Sequence, residues 1–357
     1  MTTLNKLLHQ IHAIKNKAEM QSELSRFKTE IRDIVISGGF FRLYMEDEEE
    51  NYFINHTGRE LFRKLDSLGM QSEIKDSVDS GFRAIRQTKL SNLDLNFLAR
   101  FDASNLSSII HETETSMEAN GNVVEVDKVK EWLDLTGNQN NVSRPNHTAR
   151  QPSTNATTQN YLNVIDFDGN VSGVTSGDSL SKVGFKVPQS GNINFFIVFS
   201  TTMVDNEFDS IIALDSDNHD FQFDAANDTG FKGRISAKSV GGANTGIPNG
   251  QLSGFNIGHV FFNFDTEKYG LEINGEGRGK NRNYTAKLNE TQELKIFSNR
   301  TGNNSPRGSI GEIIIVENLN QEQKKGIEGY LAHKWDLASK LRSDHPYKNH
   351  LYKFFDF

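Results

Sequence analysis

The carboxylates able to do chemistry in this sequence gather in two places. Glu125-Val-Asp127-Lys-Val-Lys-Glu131 sets three acids along a stretch that alternates as a strand does. A retaining glycosidase needs two carboxyl groups about 5–5.5 Å apart across the bond it cleaves. The run leads straight into an apolar segment around Trp132, and a solvated strand edge is its plainer account. Asp215-Ser-Asp217-Asn218-His-Asp220 mimics the first half of an EF-hand loop. It lacks the required glycine, and Ala226 stands where the bidentate Glu belongs. What remains is a Ca2+ site in a loop rim, built from Asp215, Asp217 and Asp220 with Asp205 or Glu207. The alternative is a turn whose Asp and Asn side chains cap their own backbone.

Saccharide recognition pairs an aromatic face with Asp, Asn and backbone donors at a loop rim. Trp132 and Trp335 sit inside apolar patterns and are expected in the core. The aromatics left for a surface are Phe208, Phe255, Tyr269 and Tyr284, beside loops that supply Asn218 and Arg300. From these, Asn218, Tyr269, Tyr284 and Arg300 form the candidate glycan set. His219, His259, His333 and His345 show no i, i+4 pairing and no HExxH, which argues against zinc. No phosphate-binding loop or nucleophile elbow occurs.

The totals bound the function classes. The chain has 357 residues and a formal charge of −8, so a nucleic-acid partner is not expected. It has no cysteine, hence neither disulfides nor thiolate metal sites. No apolar run reaches membrane-spanning length, and residues 1–30 lack the h-region of a signal peptide, so synthesis and assembly in a cytoplasm are expected, with no membrane insertion.

Two regions differ in pattern. In residues 1–90, Leu4, Leu7, Ile11, Ile14 and Ala18, then Met20, Leu24, Phe27, Ile31 and Ile34, recur at helical spacing with a slip between them. A discontinuous coiled coil or a helical hairpin breaking near Ala18, on the one hand, and a single amphipathic helix packed on its own domain, on the other, fit equally. A hairpin around the acid run 46–50 and two short helices over 61–85 complete a helical or mixed module for attachment or oligomerisation. Residues 91–357 instead carry short Phe-rich runs punctuated by Gly, Asn and Asp, the signature of a β-sandwich. The apolar run Ile310 to Val316 predicts a buried strand. After it, Asn320 and Gln323 stand as a capping box ahead of Ile327, Tyr330, Leu331, Trp335 and Leu337, spaced as one helix face.

That last strand and helix, with E-G-Y-L-A-H-K-W-D-L and the trailing D-H-P-Y-K, resemble the C-terminal signature of concanavalin A-like (laminin-G-like) lectin domains of the kind found in tailed-phage virion proteins. Phe97 to Ser104, Val129 to Asn138, Ile165 to Gly169, Phe195 to Phe199 and Leu271 to Gly275 resemble other segments of that family, in its order. The resemblance implies a mainly β fold, a two-sheet antiparallel jelly-roll sandwich closed by the C-terminal helix. It also implies a non-enzymatic virion component (fibre, tail, neck or capsid decoration) displaying a lectin-like domain. Its expected partners are other virion proteins and host-surface polysaccharide, in a homo-oligomer such as a trimer. A structural spacer and a polysaccharide-degrading enzyme are the alternatives. Glucanases of this fold use E-x-D-x-x-E or E-x-D-x-E on one strand, and in the 125–131 run the last spacing is off by at least one residue.

Overall fold

The computed structural model describes residues 95–117, 123–144, 151–160, 162–169, 177–202, 209–215, 219–226, 230–237, 245–246, 254–283, 288–298 and 306–348. One unit spans Asp94–Leu351. The helical module expected over 1–90 lies outside the described residues.

The fold is mainly β and antiparallel, consistent with a β-sandwich. Its centre is β17 (Arg307–Glu317), whose Ile-rich sequence is buried on both faces. Along one edge β17 pairs over its whole length with β8 (Asn192–Thr202). The other edge is shared: β6 (Leu162–Asp168) takes Arg307 to Ile310, and β1 (Asn96–Asp102) takes Glu312 to Glu317. Beyond β8 come β13 (Asn256–Asn263), β14 (Lys268–Ile273) and β15 (Glu276–Asn283). On the far side of β6, the ladder continues through β5 (Ser153–Gln159) to β3 (Val123–Trp132), which also carries β2 (Ile109–Met117). From β3 it curls on through β4 (Val142–Ser143), β7 (Leu180–Lys186), β16 (Thr291–Ile296), β9 (Asp209–Asp215), β10 (His219–Ala226) and β11 (Gly230–Ala237) to β12 (Thr245–Gly246).

Strand alternation fills the interior. In β8, Ile193, Phe195, Ile197 and Phe199 point into the core with Phe221, Phe223, Leu294 and Ile296 of the facing strands. Trp132 is fully buried there against Phe101, ring centroids 5.4 Å apart. The alternate residues of β8, Phe196 and Val198, are buried too, although they lie outside that core cluster. Their cover is the helix α1 (Gln321–Lys334), which packs on β8 and β13 and buries Ile327, Leu331 and the adjoining Trp335.

The start of α1 follows the sequence expectation. The Asn320 side chain accepts from the Gln323 N–H at 2.9 Å, and the Gln323 side chain accepts from the Asn320 N–H at 3.0 Å. Its other end is pinned electrostatically. The Lys334 ammonium is fully buried between Asp102 Oδ1, at 2.7 Å, and Glu312 Oε2. Glu312 Oε1 also receives Arg100 Nε at 3.2 Å and Nη2 at 3.1 Å, while the Tyr330 hydroxyl and the Trp335 indole N–H donate to the same carboxylate. Trp335 lies flat on Gly311, where an added Cβ would come within 2.8 Å of its ring.

Removing one member of a buried ion cluster leaves a charge without compensation, at a cost of about 3–5 kcal/mol. Lys334→Met is expected to destabilise the protein by about that much in denaturant unfolding. A loss below about 1 kcal/mol would show that the ammonium does not hold the helix to β1 and β17.

Candidate functional site

A polar groove of about 580 Å3 opens where β3, β4 and β7 meet, lined by Glu131, Gln139, Asn141, Ser143, Ser181, Lys182 and Val183. The ladder sets its side chains in a row, since Glu131 lies opposite Ser143, Ser143 opposite Ser181, and Ser181 opposite Lys295. The turn after β3 holds the rim. Asp134 accepts hydrogen bonds from the N–H groups of Arg100, Thr136 and Asn140. Asn141 donates to Glu131 Oε1 at 2.9 Å and accepts from the Asp134 N–H at 2.9 Å, which fixes both groove side chains. Val183 adds an apolar surface, 76% exposed.

One strand further, the same sheet carries a pair of acids. Glu293 of β16 lies opposite Val183 on one side and opposite Asp215 of β9 on the other. Directly opposed residues in an antiparallel pair bring their Cβ atoms to roughly 4.5–5.5 Å. Lys295 Nζ sits 3.1 Å from Asp215 Oδ2 and 3.2 Å from Glu293 Oε2, so one ammonium bridges two half-exposed carboxylates. Chemically this face offers hydroxyl, amide, carboxylate and ammonium groups in a shallow row, with two acids side by side on neighbouring strands.

The structure disperses the residues singled out from sequence. Asp215 is the one proposed Ca2+ ligand whose side chain is described, and its carboxylate is held by Lys295 rather than by a loop-rim cation site. Asp217 and Asn218 lie outside the described residues, as do Asp205, Glu207, Phe208, Tyr284 and Arg300. Asp220 lies in β10 opposite Ser236, and its side chain is not among those described. Tyr269 corrects the expectation of an exposed ring. It is 1% exposed, stacked on Phe262 with centroids 6.0 Å apart, and has no face to offer a sugar.

In the 125–131 run, Glu125 is exposed opposite Thr115. Asp127 accepts from Asn155 and Thr113, whose hydrogen bonds hold its carboxyl below the usual range. Only Glu131 reaches the groove. Among the histidines, His333 bonds the Tyr347 carbonyl at 2.6 Å and His345 bonds Glu328 Oε2 at 3.1 Å, tying the C-terminal turn to α1.

Sequence reasoning passed over two groups. Glu293 and Lys295 lie in an ordinary amphipathic strand, and only the strand order brings them to Asp215. His259 and Glu272 are far apart in sequence yet directly opposed across the β13–β14 hairpin. Counting back from the turn after Phe264 would have paired them.

Two further carboxyl groups have raised affinity for protons. Burial pushes Asp166 up, opposed by the Ser309 hydroxyl. Asp178 is pushed up to about 6, chiefly by burial, against the opposing hydrogen bond from the Asp168 N–H. Neither lines the groove.

No family model matches the chain, and no curated protein matches it. Several solved structures share part of its course. One is a GH54 α-L-arabinofuranosidase mutant soaked with 4-nitrophenyl α-L-arabinofuranoside, with a TM-score of 0.48 at 10% identity over 69% of this chain and 64% of that one. Another is a GH54 arabinofuranosidase complexed with arabinofuranosyl-α-1,2-xylobiose, TM-score 0.46 at 10% identity over the same shares of the two chains. A third is Trypanosoma rangeli sialidase in complex with sialic acid, TM-score 0.40 at 9% identity over 64% of this chain and 33% of that one. The chain thus spans less than two thirds of the length of each. These neighbours are carbohydrate-active enzymes, and the expectation of a non-enzymatic virion component is corrected on that finding. At these TM-scores no activity passes from them to this chain.

Asp178 sets a pH test. A carboxyl whose folded pKa lies above its unfolded value adds stability below the unfolded pKa, and that stability is lost as pH rises through the folded value. Wild type is expected to lose stability between about pH 4 and pH 6 on this account. Asp178→Asn should therefore be the more stable form at pH 7.5, by on the order of 2–3 kcal/mol, and match wild type near pH 3.5. Denaturant midpoints at the two pH values check this; an equal difference at both would exclude the Asp178 carboxyl as its source.

Proposed function

We propose that this protein acts on saccharides, with the groove over β3, β4 and β7 as the binding surface and Asp215 with Glu293 as the acid pair that cleaves the bound chain. The observation that carries the reading is the row Glu131, Ser143, Ser181 and Lys295 running beside two opposed carboxylates on one sheet face. A polyhydroxylated ligand has donors and acceptors at every carbon, and a row of amides, hydroxyls and charges can meet them. The net charge of −8 disfavours a polyphosphate in the same place.

In the first half-reaction one carboxylate of the pair attacks the anomeric carbon as its bond to the leaving oxygen breaks, and the other carboxyl protonates that oxygen. In the second, the deprotonated partner takes a proton from water, whose oxygen displaces the enzyme carboxylate from the sugar. Asp215, 3.1 Å from Lys295 Nζ, is the attacking group. Glu293, the more exposed of the two, is the proton donor, so substrate has to draw it out of its contact with Lys295. The finer architecture belongs to the same reading: the curled ladder is a jelly roll of the concanavalin A-like type, closed by α1.

The test is reducing-end release by the full chain from a panel of plant and bacterial polysaccharides. Asp215→Asn and Glu293→Gln are expected to lower the rate by about 10²–10⁴-fold. Both sites are partly exposed, so unfolding midpoints should stay near wild type. Saccharide binding with no release of reducing ends would remove the catalytic half of the reading. Hydrolysis that survives both substitutions would move the chemistry elsewhere, and Glu125→Gln then tests the 125–131 run.

A further inference from the structure

Beneath α1, on the sheet face opposite the sandwich core, three ligand-type side chains converge. His259 of β13, Glu272 of β14 and Glu328 of α1 place one ligand atom each within 4.8 Å of one another. His259 and Glu328 are buried, and Glu272 opens partly to the surface. His259 Nδ1 and Glu328 Oε1 have no hydrogen-bond partner.

The surroundings fix how these atoms present themselves. Asn194 donates its amide N–H to Asn192 Oδ1 at 2.6 Å, so its own Oδ1 faces His259 Nε2 at 3.1 Å as an acceptor. His259 Nε2–H therefore points at Asn194, and Nδ1 faces Glu272 Oε2 at 3.6 Å. Glu328 is oriented in the same manner: His345 Nδ1 accepts from the Tyr347 N–H at 3.3 Å, which leaves its Nε2–H to donate to Glu328 Oε2 at 3.1 Å. Ligating histidines and carboxylates with their remaining atoms hydrogen-bonded to an outer shell are the usual build of a metal centre. Gly275, at φ +74°, leaves room for this; a Cβ there would meet the His345 ring at 3.1 Å.

The present cation is Lys324, in the first turn of α1, whose Nζ contacts Glu272 Oε2 and lies 3.8 Å from Glu328 Oε1. It brings one positive charge to two carboxylates. Its long side chain reaches in from the partly open side and can swing back to water.

We propose that His259, Glu272 and Glu328 form a site for a divalent transition ion of the zinc class, which takes the place of the Lys324 ammonium and clips α1 to the β13–β14 hairpin. A nitrogen and two carboxylate oxygens suit that ion, with metal–ligand distances of about 2.0–2.2 Å and ligand–ligand separations of about 3.4 Å. The 3.6 Å between His259 Nδ1 and Glu272 Oε2 already meets that spacing. Closure then asks Glu328 to approach, and one coordination position faces the opening that Lys324 vacates.

The experiment is titration of the metal-free full chain with Zn2+ and, for a spectroscopic signature, with Co2+. One equivalent of Co2+ is expected to give the visible bands of a four-coordinate N/O site. Glu272→Gln should abolish them, and Asn194→Ala, which frees the His259 tautomer, should weaken binding about 10–100-fold. Lys324→Ala removes the competing ammonium from the partly open side and should tighten binding about tenfold. It keeps the test decisive even if the Glu272 variant fails to fold. Absence of the bands in both wild type and Lys324→Ala would overturn the site. Binding that Glu272→Gln leaves unchanged would do the same, because the ion would then sit on another histidine.

Discussion

The fold depends on one ammonium group. Lys334 ends the helix, yet its Nζ lies in the dry layer between helix and sheet, where Asp102 of β1 and Glu312 of β17 meet it. Each of those acids is fully buried, where a carboxylate is costly without a cation beside it. Arg100, Tyr330 and Trp335 complete the shell by donating to Glu312. The cluster therefore joins the first strand of the unit, its central strand and its helix at one point. Apolar packing by Ile327 and Leu331 supplies the area; the charges supply the register.

The same division of labour recurs under the other end of the helix. There Lys324 meets Glu272 and Glu328, and burial would push Glu272 up were it not that His259 and Lys324 hold the carboxyl down at about 2. The contrast lies in the number of donors brought to the acids. At Lys334 two carboxylates share an ammonium, a guanidinium, a phenol and an indole. At Lys324 the facing atoms of His259 and Glu328 are left without hydrogen bonds.

Local signals in the sequence carried through, and signals spread over distant strands did not. The capping box at Asn320 and Gln323, the buried strand from Ile310 to Val316 and the burial of both tryptophans each rest on a few neighbouring residues, and each is present. Tyr269 shows a misread local signal: it stands two and four residues before Leu271 and Ile273, so strand alternation already turns it inward with them. The groove and acid pair are of another kind. Glu131, Ser143, Ser181 and Lys295 become neighbours only once β3, β4, β7 and β16 are ordered, and nothing in the composition of any one strand reports that order. Asp215 drew notice for its acidic neighbours in sequence, while its partners Lys295 and Glu293 come from a strand about eighty residues on.

The shared edge of β17 bears on how the protein is made. Its neighbours β1, β6 and β8 leave the ribosome long before it does, since Phe97 pairs with Val316 and Ile165 with Ile310. Until β17, near the end of the unit, is synthesised, the sheet has a gap at its middle, and three apolar strands wait with open hydrogen-bonding edges. Such a topology ties folding to completion of the polypeptide and makes a nascent or truncated chain prone to self-association.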